Sequence, residues 1–395
     1  MGCLISFFKK YTLLCVLFCL ITFVFLWGEQ VPLQAKNVLY TISLHIKSFL
    51  LFMLPFLVLP YIVTSIFEMK GRGVILLLAL IVLVALSNFT AIMVGYGVGQ
   101  TLIPHLHLSE QMMLNSTNEV CHLVNYFVEP LVSIELVLVA GLIIGLVLAY
   151  AHLDKVEGFF LGYRKAATFF FQRIFTPILP LYILGLLLKL QHDSDCGSIF
   201  LIFRNLAFLI IATQLCYLFL VFLAGAGWHP RRALQAIKNA LPAGAVGVST
   251  ISSVVTMPVT LEAAEKNTTD NNLARLTIAS TVNAHAIGEC ISLPMIAVTI
   301  YFMTFHHMPD LSTYLPFALV LTWAQFGAVS VAGGSVIIML NGLTTNLGFT
   351  AEMIGLIIAI SIFTDPWGTG CNIMGNSGFV MIVEKLNNFF KRKRA

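Results

Sequence analysis

The sequence predicts an all-α polytopic membrane protein with eight transmembrane helices and two re-entrant helical hairpins. The first reason is composition: of the 395 residues, 58% are hydrophobic and 10% are charged, which is typical of membrane proteins and not of soluble domains. The second is that apolar runs of about 20 residues, long enough to cross a bilayer, recur along the chain. The third is that two later apolar stretches, at 240–260 and 315–347, are broken by Gly, Pro or Ser.

The apolar pattern divides the chain into elements in a definite order. Residues 1–27 resemble a signal peptide, but the apolar run is long and lacks a small-residue cleavage site, so we predict a first span there. Residues 154–165 and the basic stretch 228–238 are predicted to be loops. The predicted elements are helices 1 and 2 at 1–70, helix 3 at 71–100, helices 4 and 5 at 101–192, helix 6 at 193–234, hairpin 1 at 235–268, broken helix 7 at 269–308, hairpin 2 at 309–350, and helix 8 with a basic tail at 351–395.

The distribution of charge predicts the orientation in the membrane. Most of the 22 Lys and Arg residues lie in segments that are inside if the N-terminus is cytoplasmic, so both termini are predicted to be cytoplasmic. The basic cluster 391–394 follows helix 8 directly, which favours contact with anionic membrane lipid over nucleic acid. The eight cysteines are scattered, without metal-ligand or disulfide spacing, and no cofactor is predicted.

The C-terminal part is interrupted in a regular way. Neither half of hairpin 1 is long enough to span a bilayer, helix 7 is interrupted at 283–289, and hairpin 2 breaks at 330–335. Irregular backbone at membrane depth is tolerated only where it is buried in protein or lines a cavity. Two broken halves in matching positions are typical of an inverted-repeat transporter whose site lies at the membrane midplane.

Polar residues in helix 8 mark a candidate site. Asp365, Thr369, Asn372 and Asn376 are spaced four, three and four residues apart, so they fall on one face of a helix. A carboxylate at mid-membrane depth is costly, which makes it a functional candidate by default. The alternative is a buried structural network between helices.

Three ordered motifs resemble the glutamate transporter family, also called the dicarboxylate/amino acid:cation symporters. They are the Ser-rich tip and Met-Pro-Val-Thr sequence at 252–260, Asn-Ala-His-Ala-Ile at 283–287, and the polar segment 365–376. The topology is similar from about residue 40 to residue 385. The resemblance implies a homotrimer in which helices 1, 2, 4 and 5 form a fixed scaffold. Helices 3 and 6, the hairpins, and helices 7 and 8 would form the moving transport part.

The resemblance also implies a site for an amino acid or another small carboxylate. Asp365 would pair with the substrate amine, and Asn372 would hold its α-carboxylate. Gly368 stands where the family has an arginine that pairs a side-chain carboxylate, so a neutral amino acid is the predicted substrate. The substrate-binding residues implied are Asp365, Thr369, Asn372, Ser252, Ser253, Gly333, Gly334 and Gly368.

The implied cation site departs from the family pattern. Asn283 is kept, but His285 and Asn376 replace two acids that hold sodium, a cation that needs hard oxygen ligands. A proton on His285, which titrates in a useful pH range, is therefore an alternative to sodium at Asn283, Asn372 and Asn376. Glu289 lies four residues beyond His285 and would share its helix face. In a further alternative His285 is a neutral core residue. The residues implied in cation coupling are His285, Glu289, Asn283, Asn376, Ser87 and Asn88.

The predicted function is secondary active transport of a small organic solute in the bacterial inner membrane, coupled to a proton or sodium by an elevator-type movement. One rival is an intramembrane enzyme, because Asp365, His285 and Glu289 are suited to general acid–base catalysis. The paired hairpins and the lack of a nucleophile motif count against it. A second rival is a non-coupled channel or receptor on the same fold, which the replaced cation ligands favour.

Overall fold

The computed structural model describes residues 12–67, 74–106, 131–132, 134–151, 153–170, 173–174, 176–193, 196–328 and 334–394. The regular elements in these ranges are helical, and the prediction of an all-α membrane protein is confirmed. Helices suit an apolar chain in a bilayer because each one satisfies its backbone hydrogen bonds internally.

Two of the helices are long and pass through prolines. Pro55 and Pro60 lie in a helix of 35 residues, and Pro366 lies in a helix of 44 residues. The α-helices in chain order are α1 (Thr12–Trp27), α2 (Leu33–Phe67), α3 (Val74–Leu102), α4 (Ile134–Ala151), α5 (Asp154–Phe170), α6 (Thr176–Asp193), α7 (Cys196–Gly225), α8 (Pro230–Thr250), α9 (Ser253–Asn267), α10 (Asn271–Thr281), α11 (Ile287–Phe305), α12 (Leu311–Ala324), α13 (Gly334–Ile338), α14 (Leu340–Leu347) and α15 (Ala351–Arg394). Short 3-10 turns lie at Gly28–Gln30, Ile103–Leu106 and Gln325–Gly327.

Several helices have the length and composition of membrane spans. In the part of the chain that the structure describes, 4 segments qualify: Leu78–His105, Arg204–Gly225, Ile287–Phe305 and Met353–Phe389. Shorter apolar helices are Pro55–Phe67, Leu136–Ala151 and Pro177–Lys189. The count of eight spans stays a prediction.

The helices pack in two groups. In the first, α2 lies against α4, α5 and α6, and α1 lies against α6. In the second, α15 lies against α7, α8, α9, α10 and α11, while α3 packs against α11 and α12. Contacts of α15 with α6, and of α2 with the turn Gln325–Gly327, join the groups. The grouping follows the predicted division into scaffold and transport part, but movement of one against the other stays a prediction.

The predicted loop at 154–165 is wrong, because these residues begin helix α5. The helix is held against α2 by two side-chain contacts. Arg164 donates from Nη1 to Thr64 Oγ1 at 3.1 Å, and the hydroxyls of Tyr61 and Thr168 lie 2.7 Å apart. Polar composition suggested a loop, but the apolar residues of this stretch fall on one face of an amphipathic helix.

The predicted basic loop at 228–238 is wrong for the same reason. Helix α8 begins at Pro230, where the ring of proline suits the first helical position. Ala233, Ala236 and Ala240 are buried on one face, whereas the basic residues Arg231, Arg232 and Lys238 are exposed. Helix α8 therefore extends across most of the predicted loop.

Helices α8 and α9 form an antiparallel pair that corresponds to predicted hairpin 1. At its tip, Ile251 has a φ of 51°, a left-handed conformation that is uncommon for a β-branched residue. Ser252 caps α9 by accepting a hydrogen bond from Val255 N at 3.4 Å. At the other end, Asn267 Nδ2 donates to Ala236 O at 3.0 Å. That this pair enters the membrane from one side stays a prediction.

The segment after helix α11 also folds back on itself. Helix α12 and the turn Gln325–Gly327 run in one direction, and α14 returns to pack against α12. The tip at 329–333, which includes Gly333, lies outside the described residues. Helix α13 begins immediately after it, at Gly334.

The interruption of predicted helix 7 lies at 282–286, between α10 and α11. An unwound segment leaves backbone groups without intrahelical partners. Asn88 of α3 satisfies two of them: its Nδ2 donates to Ala284 O at 2.7 Å, and its Oδ1 accepts from Ala286 N at 3.2 Å. A side chain from another helix thus stabilises the unwound segment.

Candidate functional site

A polar cavity of about 30 Å³ lies between the tip of the α8–α9 pair, residues Ala328 and Ser335, the interrupted helix and α15. Its walls come from the α8–α9 tip, the break before α11, the turn after α12, and the helices α11, α13 and α15. By size, it holds about two water molecules. The lining residues are Ile251, Ser253, Val282, Asn283, Ala286, Glu289, Ala328, Ser335, Asp365, Thr369 and Asn372.

Three of the four polar residues predicted on one face of α15 reach the cavity, namely Asp365, Thr369 and Asn372. The fourth, Asn376, is one turn further and has no exposed surface. Its Nδ2 donates to His285 O at 3.2 Å, and its Oδ1 accepts from Thr281 Oγ1 at 3.1 Å. The predicted face therefore divides into an upper part at the cavity and a lower part between helices.

Asn372 ties α15 to the start of α11. Its Oδ1 accepts a hydrogen bond from Gly288 N at 2.7 Å, and its Nδ2 donates to Glu289 Oε1 at 3.2 Å. The helices approach closely here, since a Cβ added at Gly288 would overlap the carbonyl oxygen of Gly368. Both functional atoms of the Asn372 amide are thus oriented by α11.

Glu289 is the central carboxyl group of the arrangement. It accepts from Asn372 through Oε1 and from Ser335 Oγ through Oε2, so it joins α11, α13 and α15. It lies in the first turn of α11, where the positive end of the helix dipole favours a carboxylate. Among the residues that line the cavity, Asp365 is the other acid, and none is Lys, Arg or His.

His285 lies away from the cavity, fully buried behind it. Its Nε2 is 2.8 Å from Ser87 Oγ, and its ring stacks on Phe379 at a centroid distance of 4.3 Å. Its Nδ1 has no hydrogen-bond partner among the described residues. The prediction that His285 and Glu289 share a helix face is wrong, because the helix begins only at Ile287 and residue 285 belongs to the unwound segment.

The residues predicted for cation coupling therefore separate into two places. Glu289 and Asn283 line the cavity. By contrast, His285, Ser87, Asn88 and Asn376 bond to one another or to the backbone around the break, and Asn376 bonds in addition to Thr281 Oγ1 and Asn372 O. Within the ranges that the structure describes, no three His, Cys, Asp or Glu side chains come together to hold a metal ion.

The predicted substrate residues of the hairpins and of helix 8 are placed differently from one another. Ser253 lines the cavity, while Ser252 caps α9 and Gly334 begins α13. Gly368 is not among the lining residues. A Cβ at Gly368 would point at Glu289 Cγ, 3.7 Å away, and at Gln214 Nε2, 3.9 Å away.

Two polar residues at the site were not among the predicted ones. Ser335 follows the Gly-Gly of the second tip and donates to Glu289, and its place in that Ser-containing break was the available signal. Gln214 of α7 is buried and donates from Nε2 to Gly288 O at 2.9 Å. Its only sequence signal is a polar residue within an apolar span.

An all-helical membrane protein with a polar cavity between two helix pairs and an interrupted helix has the architecture of a secondary transporter. The chain matches the model of the sodium:dicarboxylate symporter family over residues 12–386, and it belongs to that family. No curated protein matches the chain at a significant level. Members of this family are transporters and not enzymes, so the rival of an intramembrane enzyme is wrong.

Proposed function

We propose that the chain is a symporter of a small neutral amino acid that is coupled to a proton. The observation that carries this proposal is the cavity itself, in which two acids, Asp365 and Glu289, face polar neutral groups and none of the described lining residues is basic. Membership in a symporter family supports the transport class; the substrate and the coupling ion are the proposed parts.

Asp365 is the proposed partner of the substrate ammonium group. Burying an ammonium is costly unless a charge of opposite sign pairs with it, and Asp365 is an acid at the wall of the cavity. The hydroxyl of Ser253 lines the same space and can donate a hydrogen bond to the substrate carboxylate. Gly368 brings no cation for a carboxylate on the substrate side chain.

Glu289, and not His285, is the proposed carrier of the proton. Its carboxyl group borders the cavity, whereas His285 is buried against Ser87 and Phe379. Two carboxyl groups near one another disfavour each other's ionisation, and Asp365 lines the same small cavity. A proton on Glu289 leaves Asp365 charged for the ammonium, so substrate and proton bind together.

The cavity volume supports alternating access over a permanently open channel. A space of about 30 Å³ is smaller than an amino acid, since it holds about two water molecules. The surrounding helices must separate for a substrate to enter. We infer that the α8–α9 and α12–α14 pairs, with α3, α7, α10, α11 and α15, move as the transport part against α1, α2, α4, α5 and α6.

A homotrimer with both termini in the cytoplasm of a bacterial cell is the proposed arrangement. Helix α4 has an apolar exposed face that suits a subunit contact or lipid, since its exposed residues recur every three or four positions. They are Leu136, Val139, Ile143, Val147 and Tyr150. Native mass spectrometry of the purified protein tests the trimer, and cysteine accessibility at the termini tests the orientation.

Uptake into proteoliposomes under imposed gradients tests the function. Alanine or serine should accumulate above its external concentration when the outside is more acidic, because a proton then enters with each substrate. Accumulation driven by sodium alone would favour a sodium site at Asn283, Asn372 and Asn376. Equilibration without accumulation under either gradient would favour a non-coupled channel.

A further inference from the structure

We propose that Glu289 forms a side-chain subsite for a cationic group, so that the chain also takes amino acids with a second amino group. In this second substrate class the side-chain ammonium occupies the place of the coupling proton on Glu289. The inference rests on the proposed function, because it uses the same cavity and the same ammonium partner, Asp365. It adds a preference that a site for neutral amino acids does not have.

The first support is the hydrogen bonding of Glu289. Its two oxygens accept from the Asn372 amide and the Ser335 hydroxyl, which are both neutral donors. A carboxylate oxygen has more than one acceptor position, so each oxygen can accept a further hydrogen bond. Asn372 and Ser335 therefore orient the carboxyl group without neutralising its charge.

The second support is the charge of the cavity wall. Asp365 and Glu289 are acids, and no Lys, Arg or His is among the described residues that line the cavity. When a neutral amino acid binds, a proton on Glu289 neutralises this second acid. The side-chain ammonium of a diamino acid compensates the charge of ionised Glu289 in place of that proton, and a charge pair at low dielectric is strong.

The third support is the glycine at position 368, which lies beside Glu289. A side chain at position 368 would start 3.7 Å from Glu289 Cγ and 3.9 Å from Gln214 Nε2, which are ordinary contact distances. The sequence places glycine there, so no cation from α15 reaches Glu289 through this position. The same geometry provides a test, because an arginine at 368 would project toward Glu289 and could pair with it.

The test compares ligands of similar size and different charge on the full-length protein in detergent at one pH. The ligands are 2,4-diaminobutyrate, homoserine, which has a hydroxyl in place of the side-chain ammonium, and aspartate. Dissociation constants come from ligand-dependent thermal stabilisation, and uptake in proteoliposomes checks that the bound ligand is transported. Diaminobutyrate should bind about tenfold or more tightly than homoserine, since desolvated charge pairs have large coupling energies.

Glu289→Gln should remove this preference while homoserine still binds. Glutamine keeps the shape, and it can accept from Asn372 through its oxygen and donate to the Ser335 hydroxyl through its nitrogen, but it carries no charge. Glu262→Gln is the matched control, since Glu262 is an exposed acid whose side chain is 65% accessible, and the preference should persist. If Glu289→Gln does not fold, Gly368→Arg replaces it and should also remove the preference. Gly368→Met controls for size and should retain the ratio of the two affinities.

The outcomes separate this inference from the function on which it rests. Binding of homoserine without any preference for diaminobutyrate in the wild type overturns the inference and leaves the proposed function intact. A preference that persists in Glu289→Gln or Gly368→Arg also overturns it. Absence of binding for every amino acid overturns both.

Discussion

Two polar clusters lie close together inside this transporter, and they differ in what their side chains are bonded to. The cavity cluster consists of Asp365, Glu289, Asn372 and Ser335, and it borders a space of about 30 Å³. The buried cluster consists of Ser87, Asn88, His285 and Asn376. Its side chains hydrogen-bond to one another and to the backbone at the helix break, and Asn376 also bonds to Thr281 Oγ1 and Asn372 O. The first contains acids and the second contains neutral or weakly basic groups.

The comparison shows that polar side chains inside a membrane protein can have two separate roles. Side chains of the buried cluster satisfy backbone groups that the break at 282–286 leaves without partners, which is a structural task. Side chains of the cavity cluster adjoin a space that a solute can occupy. Substitutions in the cavity cluster should therefore change transport, and those in the buried cluster should change stability.

The largest expected effect is that of Asp365→Asn. Removal of the charge leaves the substrate ammonium unpaired in a desolvated site, which costs about 3–5 kcal/mol and should reduce uptake by a factor of 100 or more. Proteoliposome uptake measures the loss, and circular dichroism with size-exclusion chromatography checks the fold. Normal uptake by this variant would show that Asp365 is not part of the substrate site.

Glu289→Gln and His285→Gln form the sharpest contrast between the clusters. If Glu289 carries the proton, its variant should lose accumulation driven by an acidic exterior but keep exchange of bound substrate across the membrane. Accumulation should fall to no more than the external concentration, because no proton then enters with the substrate. His285→Gln should retain accumulation. If His285→Gln loses accumulation and Glu289→Gln retains it, then His285 carries the proton and the buried cluster is the coupling site.

Substrates with a side-chain carboxylate should compete poorly with alanine, serine or threonine. The cavity wall has two acids and no base, and a carboxylate that is desolvated without a partner is penalised. Aspartate and glutamate should need about tenfold or higher concentrations to inhibit serine uptake equally, as expected for about 1.4 kcal/mol. Stronger competition by glutamate than by alanine would contradict the proposal that the negative charge of the cavity disfavours a side-chain carboxylate.

The smallest effect on transport is expected for Asn88→Ala. This change leaves Ala284 O and Ala286 N without the side-chain partners seen in the structure, and each unsatisfied buried group costs about 1–3 kcal/mol. The melting temperature in detergent should fall, and the relative affinities for alanine and serine should stay the same. A change of substrate preference with unchanged stability would contradict the structural role of the buried cluster.

The sequence by itself determined the class and the main features of the chain. Composition and apolar run lengths predict an all-α membrane protein because each span must satisfy its backbone hydrogen bonds alone. The spacing of Asp365, Thr369 and Asn372 placed them on one face because the helical repeat is local and regular. Serine indicated the tip of the α8–α9 pair, where Ser252 caps α9, but helix α8 continues through Pro242, Gly244 and Gly247.

Other features were decided only by the tertiary structure. The i, i+4 rule assigned His285 and Glu289 to one face, but the unwound segment 282–286 changes the direction of the chain between them, and the rule holds only within a continuous helix. Helices α5 and α8 lie where loops were predicted. Packing of an apolar face stabilises these helices, and the polar composition of the two stretches did not indicate them. Ser335 reached Glu289 because two segments distant in sequence meet, and no local pattern contains that information.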